Sequence, residues 1–299
     1  MRSLNISWLR IAAVLGLSVL AAPVFAQAQA PAQVPFTTHQ LKPNVYWIEG
    51  GGGNSGVIVG EKGVIVIDAK TTAAGGKELL DDIAKITPKP VTAVILTHSD
   101  GDHVNGLAAF PAGIKIVAHE NNRKEQEAAL AAGGRGAPPP GHLPTQVVTK
   151  NKETLKIDGV KFELFHWAPA HTSGDLVVYL PNEKIVFTGD IIATQFPDPI
   201  IHAEKNGSSD GWVMTVKGIL GLNAVDFVPG HGMVQTKADI QARLTRTEEK
   251  RAKIKELVAQ GKSLDAIRSA VGDPPPAAGR GPNFASFTEI VYRELTKKS

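Results

Sequence analysis

Six consecutive positions constrain this chain more than any other feature: His98-Ser99-Asp100-Gly101-Asp102-His103. They set two imidazoles and two carboxylates directly behind the apolar run 91–96, which reads as a buried strand. A loop leaving such a strand is held still, so four donor groups on it can converge on one point. Imidazole and carboxylate are ligands for zinc and other divalent first-row metals. The chain has no cysteine, so a metal site here uses nitrogen and oxygen donors alone.

Three further segments carry candidate ligands. His171 lies in Ala170-His171-Thr172-Ser173-Gly174-Asp175, ahead of the strand-like run 176–180. Asp190 ends Thr188-Gly189-Asp190, after the run 184–187, and His231 sits in Pro229-Gly230-His231-Gly232, after the run 225–228. Each candidate stands beside a strand end with glycine close by, which permits a sharp turn and leaves room around an ion. Asp68 ends the apolar run 64–67.

Together these segments resemble the metallo-β-lactamase fold hydrolases, whose signature is H-x-H-x-D-H. Asp100 is the departure, since it stands where most of that family has a second histidine. The likeness runs from about residue 45 to a helix starting near 237. It implies an α/β fold, a four-layer αβ/βα sandwich with the metal site at one edge between two facing sheets. Extra C-terminal helices follow. By the same resemblance, His98, Asp100 and His171 match the ligands of a first metal, and Asp102, His103 and His231 those of a second. Asp190 matches the carboxylate that bridges both. Asp68 matches a buried carboxylate that orients ligands without binding metal.

The implied cofactors are two divalent ions, zinc first, with manganese or iron as alternatives. The implied chemistry is hydrolysis by a hydroxide shared between the metals, with Asp102 as the catalytic group that orients it. The implied substrate is a small molecule with an ester, lactone, thioester, lactam or phosphodiester bond. Asp190 stands where the β-lactamases usually carry Cys or Ser, so antibiotic hydrolysis ranks as an alternative. A di-iron oxidoreductase and a non-catalytic metal-binding module are the others. Asp100 adds a negative charge where an imidazole would be neutral. The expectation is a weaker Lewis acid, with zinc affinity raised by Asp100→His.

The rest of the chain sets bounds. Arg2 and Arg10, the apolar run 11–19 and the small-residue pattern Val24-Phe25-Ala26 read as a secretory signal peptide over 1–26. That places the mature protein in the periplasm or outside the cell, with no stable membrane anchor. Residues 27–40 read as a leader, 41–260 as the hydrolase domain and 261–299 as a helical extension. The formal charge of +3 falls by two when the signal leaves, which gives no electrostatic case for a nucleic-acid partner. Oligomeric state is open.

Apolar patterning predicts strands at 45–49, 56–59, 64–68, 91–96, 114–118, 154–157, 161–166, 176–180, 184–187 and 225–228. It predicts helices at 76–86, 121–132, 212–222, 237–260, 264–271 and 284–297. Residues 133–144 and 273–283 are Pro/Gly-rich loops, and Gly50 to Gly53 a turn at the pocket rim. His119 reads as a cap or as exposed. His166 is placed beside Trp167 near the site. His142 and His202 lie on irregular segments able to fold over the pocket.

Overall fold

The computed structural model describes residues 35–133, 137–273 and 285–297. The expected signal peptide, most of the leader and the centres of both Pro/Gly loops lie outside the described residues.

Two sheets carry the fold. The first runs β1 (Thr37–Lys42), β2 (Val45–Glu49), β3 (Ser55–Val59), β4 (Val64–Ile67), β5 (Val91–Ile95), β6 (Lys115–His119) and β7 (Gln146–Val148), in that spatial order. It is antiparallel through β4 and parallel from β4 to β7. The second holds β8 (Lys152–Ile157), β9 (Val160–Phe165), β10 (Val177–Leu180), β11 (Ile185–Phe187) and β12 (Asp226–Val228), with β12 parallel to β11 and the rest antiparallel. The helices are α1 (Ala73–Ile86), α2 (Gly101–Val104), α3 (Glu120–Ala132), α4 (Ser209–Leu220), α5 (Lys237–Ala259), α6 (Leu264–Ala270) and α7 (Phe287–Thr296).

Side-chain alternation explains the layering. Successive residues of a strand face opposite sides. In β4, Ile65 and Ile67 join the cluster with Phe162, Leu164 and Val178 of the second sheet, while Val64 and Val66 pack with Leu79 and Ile83 of α1. In β10, Val178 and Leu180 face the first sheet, while Val177 and Tyr179 pack with Trp212 and Val216 of α4. Three apolar clusters therefore separate four layers, helix–sheet–sheet–helix, as the α/β sandwich expectation required. The C-terminal helices join the outer cluster through Ile267, Phe287, Ile290 and Val291. Among the described residues, no helix is long and apolar enough to cross a membrane.

Element ends differ from the patterning by a few residues, and two short strands escaped it. Residues 37–40, read as leader, belong to β1, which pairs with β2 through its backbone and carries mostly polar side chains. β7 spans three residues at the other edge of the sheet. The ligand-rich segment is a one-turn helix, α2, and not a loop, with Asp100 at its N-terminal cap position.

Directly after β4 the chain bends through two non-glycine residues in the left-handed region, Asp68 (φ 59°) and Lys70 (φ 77°). Such conformations cluster where surrounding structure imposes them. Asp68 turns toward the ligand histidines. Lys70 is fully buried, and its Nζ donates to the carbonyls of Ile48 (2.6 Å) and Gly53 (2.9 Å) while standing 5.1 Å from the centre of the Phe36 ring. Burial lowers the Lys70 pKa to about 7, against the opposing pull of Asp68 and Glu49. A folded-state pKa depressed below the unfolded value means that the unfolded chain binds more protons between about pH 7 and 10.5. Stability from this group therefore rises with pH across that window. Denaturant titrations of the wild type and Lys70→Met from pH 6.5 to 10.5 should show the wild type gaining on the variant, by roughly 1 kcal/mol per pH unit at most. Parallel pH profiles would contradict this.

Candidate dinuclear metal centre

All seven predicted ligands reach one pocket at the carboxyl ends of the parallel strands. His98 follows β5, Asp100 stands at the N-terminal cap of α2, and α2 carries Asp102 and His103. Asp190 lies in a 3-10 turn, Gly189–Ile191, after β11, and His231 follows β12. His171 comes from a turn built on Asp175, whose carboxylate accepts from the Thr172 amide (3.0 Å), the Thr172 hydroxyl (2.7 Å) and the Ala170 amide (3.2 Å).

Buried partners fix three of the imidazoles by one nitrogen and so aim the other. Asp68 accepts from the Thr97 amide (2.8 Å) and hydroxyl (2.6 Å), and its Oδ2 stands 2.8 Å from His103 Nδ1. The Thr97 hydroxyl also lies 2.9 Å from His98 Nδ1, so one carboxylate orients both rings. His171 Nδ1 donates to the Ile200 carbonyl at 2.8 Å. Carboxylates and carbonyls behind ligating histidines are a common means of fixing their orientation.

The free nitrogens and the carboxylates form two clusters that share Asp190. On one side, His98 Nε2 and His171 Nε2 stand 4.0 and 3.9 Å from Asp190 Oδ2, and 3.7 and 3.0 Å from Asp100 Oδ2. On the other, His103 Nε2 lies 3.2 Å from Asp190 Oδ1, and His231 Nε2 lies 3.0 Å from Asp102 Oδ2 and 3.4 Å from Asp190 Oδ2. Donor atoms about 2 Å from a common ion stand roughly 3–4 Å from one another. Among the described residues, His98 Nε2, His103 Nε2 and Asp190 Oδ1 are buried with no hydrogen-bond partner. Buried polar atoms are almost always satisfied, so these three, pointing into one space, fit a pair of cations held by nitrogen and oxygen.

The electrostatics agree. Burial opposes charge on His171, yet the Asp100 hydrogen bond and the charges of Asp100 and Asp190 raise its pKa to about 10. Burial likewise opposes charge on His231, and Asp102 and Asp190 raise it to about 9. Asp100 and Asp190 stay ionised well below the usual carboxylate range, burial being outweighed by His171 for the first and by His103 for the second. The pocket is thus an anionic well that holds protons where a cation would bind.

Glycine makes the space. A Cβ on Gly53 would fall 2.2 Å from the His103 ring, and one on Gly230 would fall 1.9 Å from Asp190 Oδ1. Neither position has a positive φ, so the requirement is room and not backbone freedom.

Two residues join the site that motif reading did not assign to it. Lys205 Nζ lies 2.5 Å from Asp100 Oδ1, and His202 Nε2 lies 3.5 Å from Asp100 Oδ2. The sequence places His202 only on a segment able to fold over the pocket, and no local signal in it marks Lys205. The other histidines serve the scaffold. His142 contacts the Pro140 and Phe110 carbonyls, and buried His119 accepts from the Asn121 amide as a helix cap and stacks on His166 at 4.0 Å.

The family model for the metallo-beta-lactamase superfamily matches residues 48–231, a span that runs from β2 to the last ligand. The chain belongs to this superfamily. Its relatives include the alpha subunit of 2,4-dinitroanisole O-demethylase from Nocardioides sp. (strain JS1661), 26% identical over 87% of this chain and 71% of that protein. A type 2 metallo-beta-lactamase from Bacillus sp. (strain 170) is 30% identical over 62% of this chain and 68% of its own length. Among solved structures, the inverting sec-alkylsulfatase from Pseudomonas sp. superposes with a TM-score of 0.68 at 18% identity. That match covers 87% of this chain but only 50% of the sulfatase, so the chain spans about half the length of that relative. The superfamily match and the His/Asp clusters make this a divalent-metal site.

Gly230→Ala should drive a methyl group into Asp190. Metal content by mass spectrometry should fall at least twofold, with circular dichroism unchanged. Gly75→Ala, whose Cβ would meet its nearest neighbours at an ordinary 3.4 Å, should keep its metal. Equal metal content in both variants would contradict the packing argument.

Proposed function

We propose that this chain is an exported hydrolase with two divalent ions, zinc first, that cleaves an ester-type bond in a small molecule. One observation carries the reading: Asp190 stands between the two histidine clusters, with Oδ1 3.2 Å from His103 Nε2 and Oδ2 within 4.0 Å of His98, His171 and His231. When bound, divalent metal at such a site would supply Lewis acidity and lower the pKa of water it holds. The chain's own groups then have distinct tasks. His98, Asp100 and His171 would hold one ion and Asp102, His103 and His231 the other, with Asp190 shared between them. The Asp102 side chain is 35% exposed, the most open of the carboxylates in the pocket, and its Oδ2 lies 3.0 Å from His231 Nε2, which suits it to pass a proton between the pocket and solvent.

Substrate would enter beside His231. A cleft of about 110 Å³ there is lined by Gly50, Gly51, Gly52, Asn54, Gln195 and His231, among others. The Asn54 amide bonds the Pro229 and Gly232 carbonyls at 3.0 and 2.8 Å, which fixes the His231 turn against the glycine turn. A space of this size takes the reacting end of a molecule and leaves the remainder outside. Asp190, where β-lactamases of this fold usually have Cys or Ser, favours ester-type bonds over lactams. The signal-peptide-like sequence over 1–26 supports action outside the cytoplasm.

Metal quantification of the mature chain, coupled to a panel of esters, lactones, thioesters, phosphodiesters, lactams, alkyl sulfates and 2,4-dinitroanisole, tests this reading. The expected result is two ions per chain, turnover of at least one ester-type compound, loss on chelation and recovery with zinc. Bound metal with no turnover would favour a non-catalytic module. Iron with a redox-active colour would favour an oxidoreductase.

A further inference from the structure

Asp100 has a dedicated counter-charge. Its Oδ2 faces His171 and His98 at 3.0 and 3.7 Å, while its Oδ1 accepts from Lys205 Nζ at 2.5 Å. Lys205 also donates to the Ser99 hydroxyl at 2.8 Å, and that hydroxyl donates to Glu125 at 2.5 Å. The lysine is held in place from its backbone. Its carbonyl accepts from the Ser173 amide at 2.8 Å, and the His202 amide, at the start of the same short 3-10 turn, donates to the His171 carbonyl at 2.8 Å. The turn that delivers Lys205 is therefore hung on the turn that delivers His171. The Lys205 side chain is 27% exposed, and Asp100 is the one acidic group within 4.0 Å of its Nζ among the described residues.

We propose that Asp100 and Lys205 act as one charge-balanced unit in place of a neutral imidazole. Lys205 is a positioning residue: it anchors one carboxylate oxygen so that the other meets His98 and His171, and it cancels the charge that Asp100 brings. This revises the expectation, drawn from sequence, that Asp100→His alone strengthens zinc binding. That change removes the carboxylate but leaves an ammonium facing the cation, and a like charge a few ångströms away in a partly buried site weakens binding. The relief comes only when Lys205 is neutralised as well.

A double-mutant cycle read by zinc affinity, not by activity, tests the pair. Wild type, Asp100→His, Lys205→Met and the double variant are titrated with zinc against a chromogenic chelator, and circular dichroism verifies each fold. Asp100→His alone should weaken zinc binding at least tenfold, and the double variant should return to within about threefold of wild type. Lys205→Met should help at least threefold more in the Asp100→His background than on its own. On its own the lost repulsion is offset by a carboxylate no longer held in place. Lys205→Arg, which keeps the charge, should bind as wild type does. The inference rests on the cation-binding reading of this pocket, and the outcomes separate the two. Zinc binding by none of the proteins defeats that reading and this inference with it. Zinc binding with additive effects, or Asp100→His alone binding as tightly as wild type, defeats the pair alone.

Discussion

Three carboxylates, Asp100, Asp102 and Asp190, meet four imidazoles in a largely buried pocket, and this concentration of negative charge governs the rest of the structure. Unpaired buried charge is strongly unfavourable, so such a pocket persists only where positive charge arrives with it. In this chain it arrives in two forms. Protons are held on His171 and His231, whose pKa values rise to about 10 and about 9. A fixed ammonium, Lys205, lies against Asp100. Among the described residues, His98 Nε2, His103 Nε2 and Asp190 Oδ1 are buried without a hydrogen bond, which fits a bound cation between them.

The scaffold serves that pocket by rigidity. Parallel strands end on the same side, which brings β5, β11 and β12 to one edge and delivers a ligand from each. Asp68 then sets two rings at once, directly for His103 and through Thr97 for His98. The left-handed backbone at Asp68 and Lys70 lets neighbouring residues face opposite ways, one toward the ligands and one beneath the glycine turn. Strain of this kind at the turn that orients the ligands is tolerated because β4 and α1 pack closely on either side.

Much of this was legible in the sequence, for physical reasons that also set its limits. Strands such as β4 and β10 are runs of Val, Ile, Leu and Tyr buried on both faces, so their presence was plain. The donor residues stood out because imidazole and carboxylate seldom cluster at strand ends without a use for them. β1 was missed because an edge strand held by backbone bonds needs no apolar pattern, and Thr37 to Lys42 has little. Lys205 was missed because it reaches Asp100 across 105 residues from an irregular segment, where no periodicity fixes the direction of a side chain. Nothing local in the sequence marks Lys70 as buried, since the carbonyls it meets belong to Ile48 and Gly53.

The most direct test of the account is a crystal structure of the zinc-soaked protein, with anomalous scattering collected at the zinc edge. Two peaks should flank Asp190, one bounded by His98, Asp100 and His171 and the other by Asp102, His103 and His231. An absence of anomalous density beside Asp190 in fully soaked crystals, or zinc bound only elsewhere on the molecule, would contradict it.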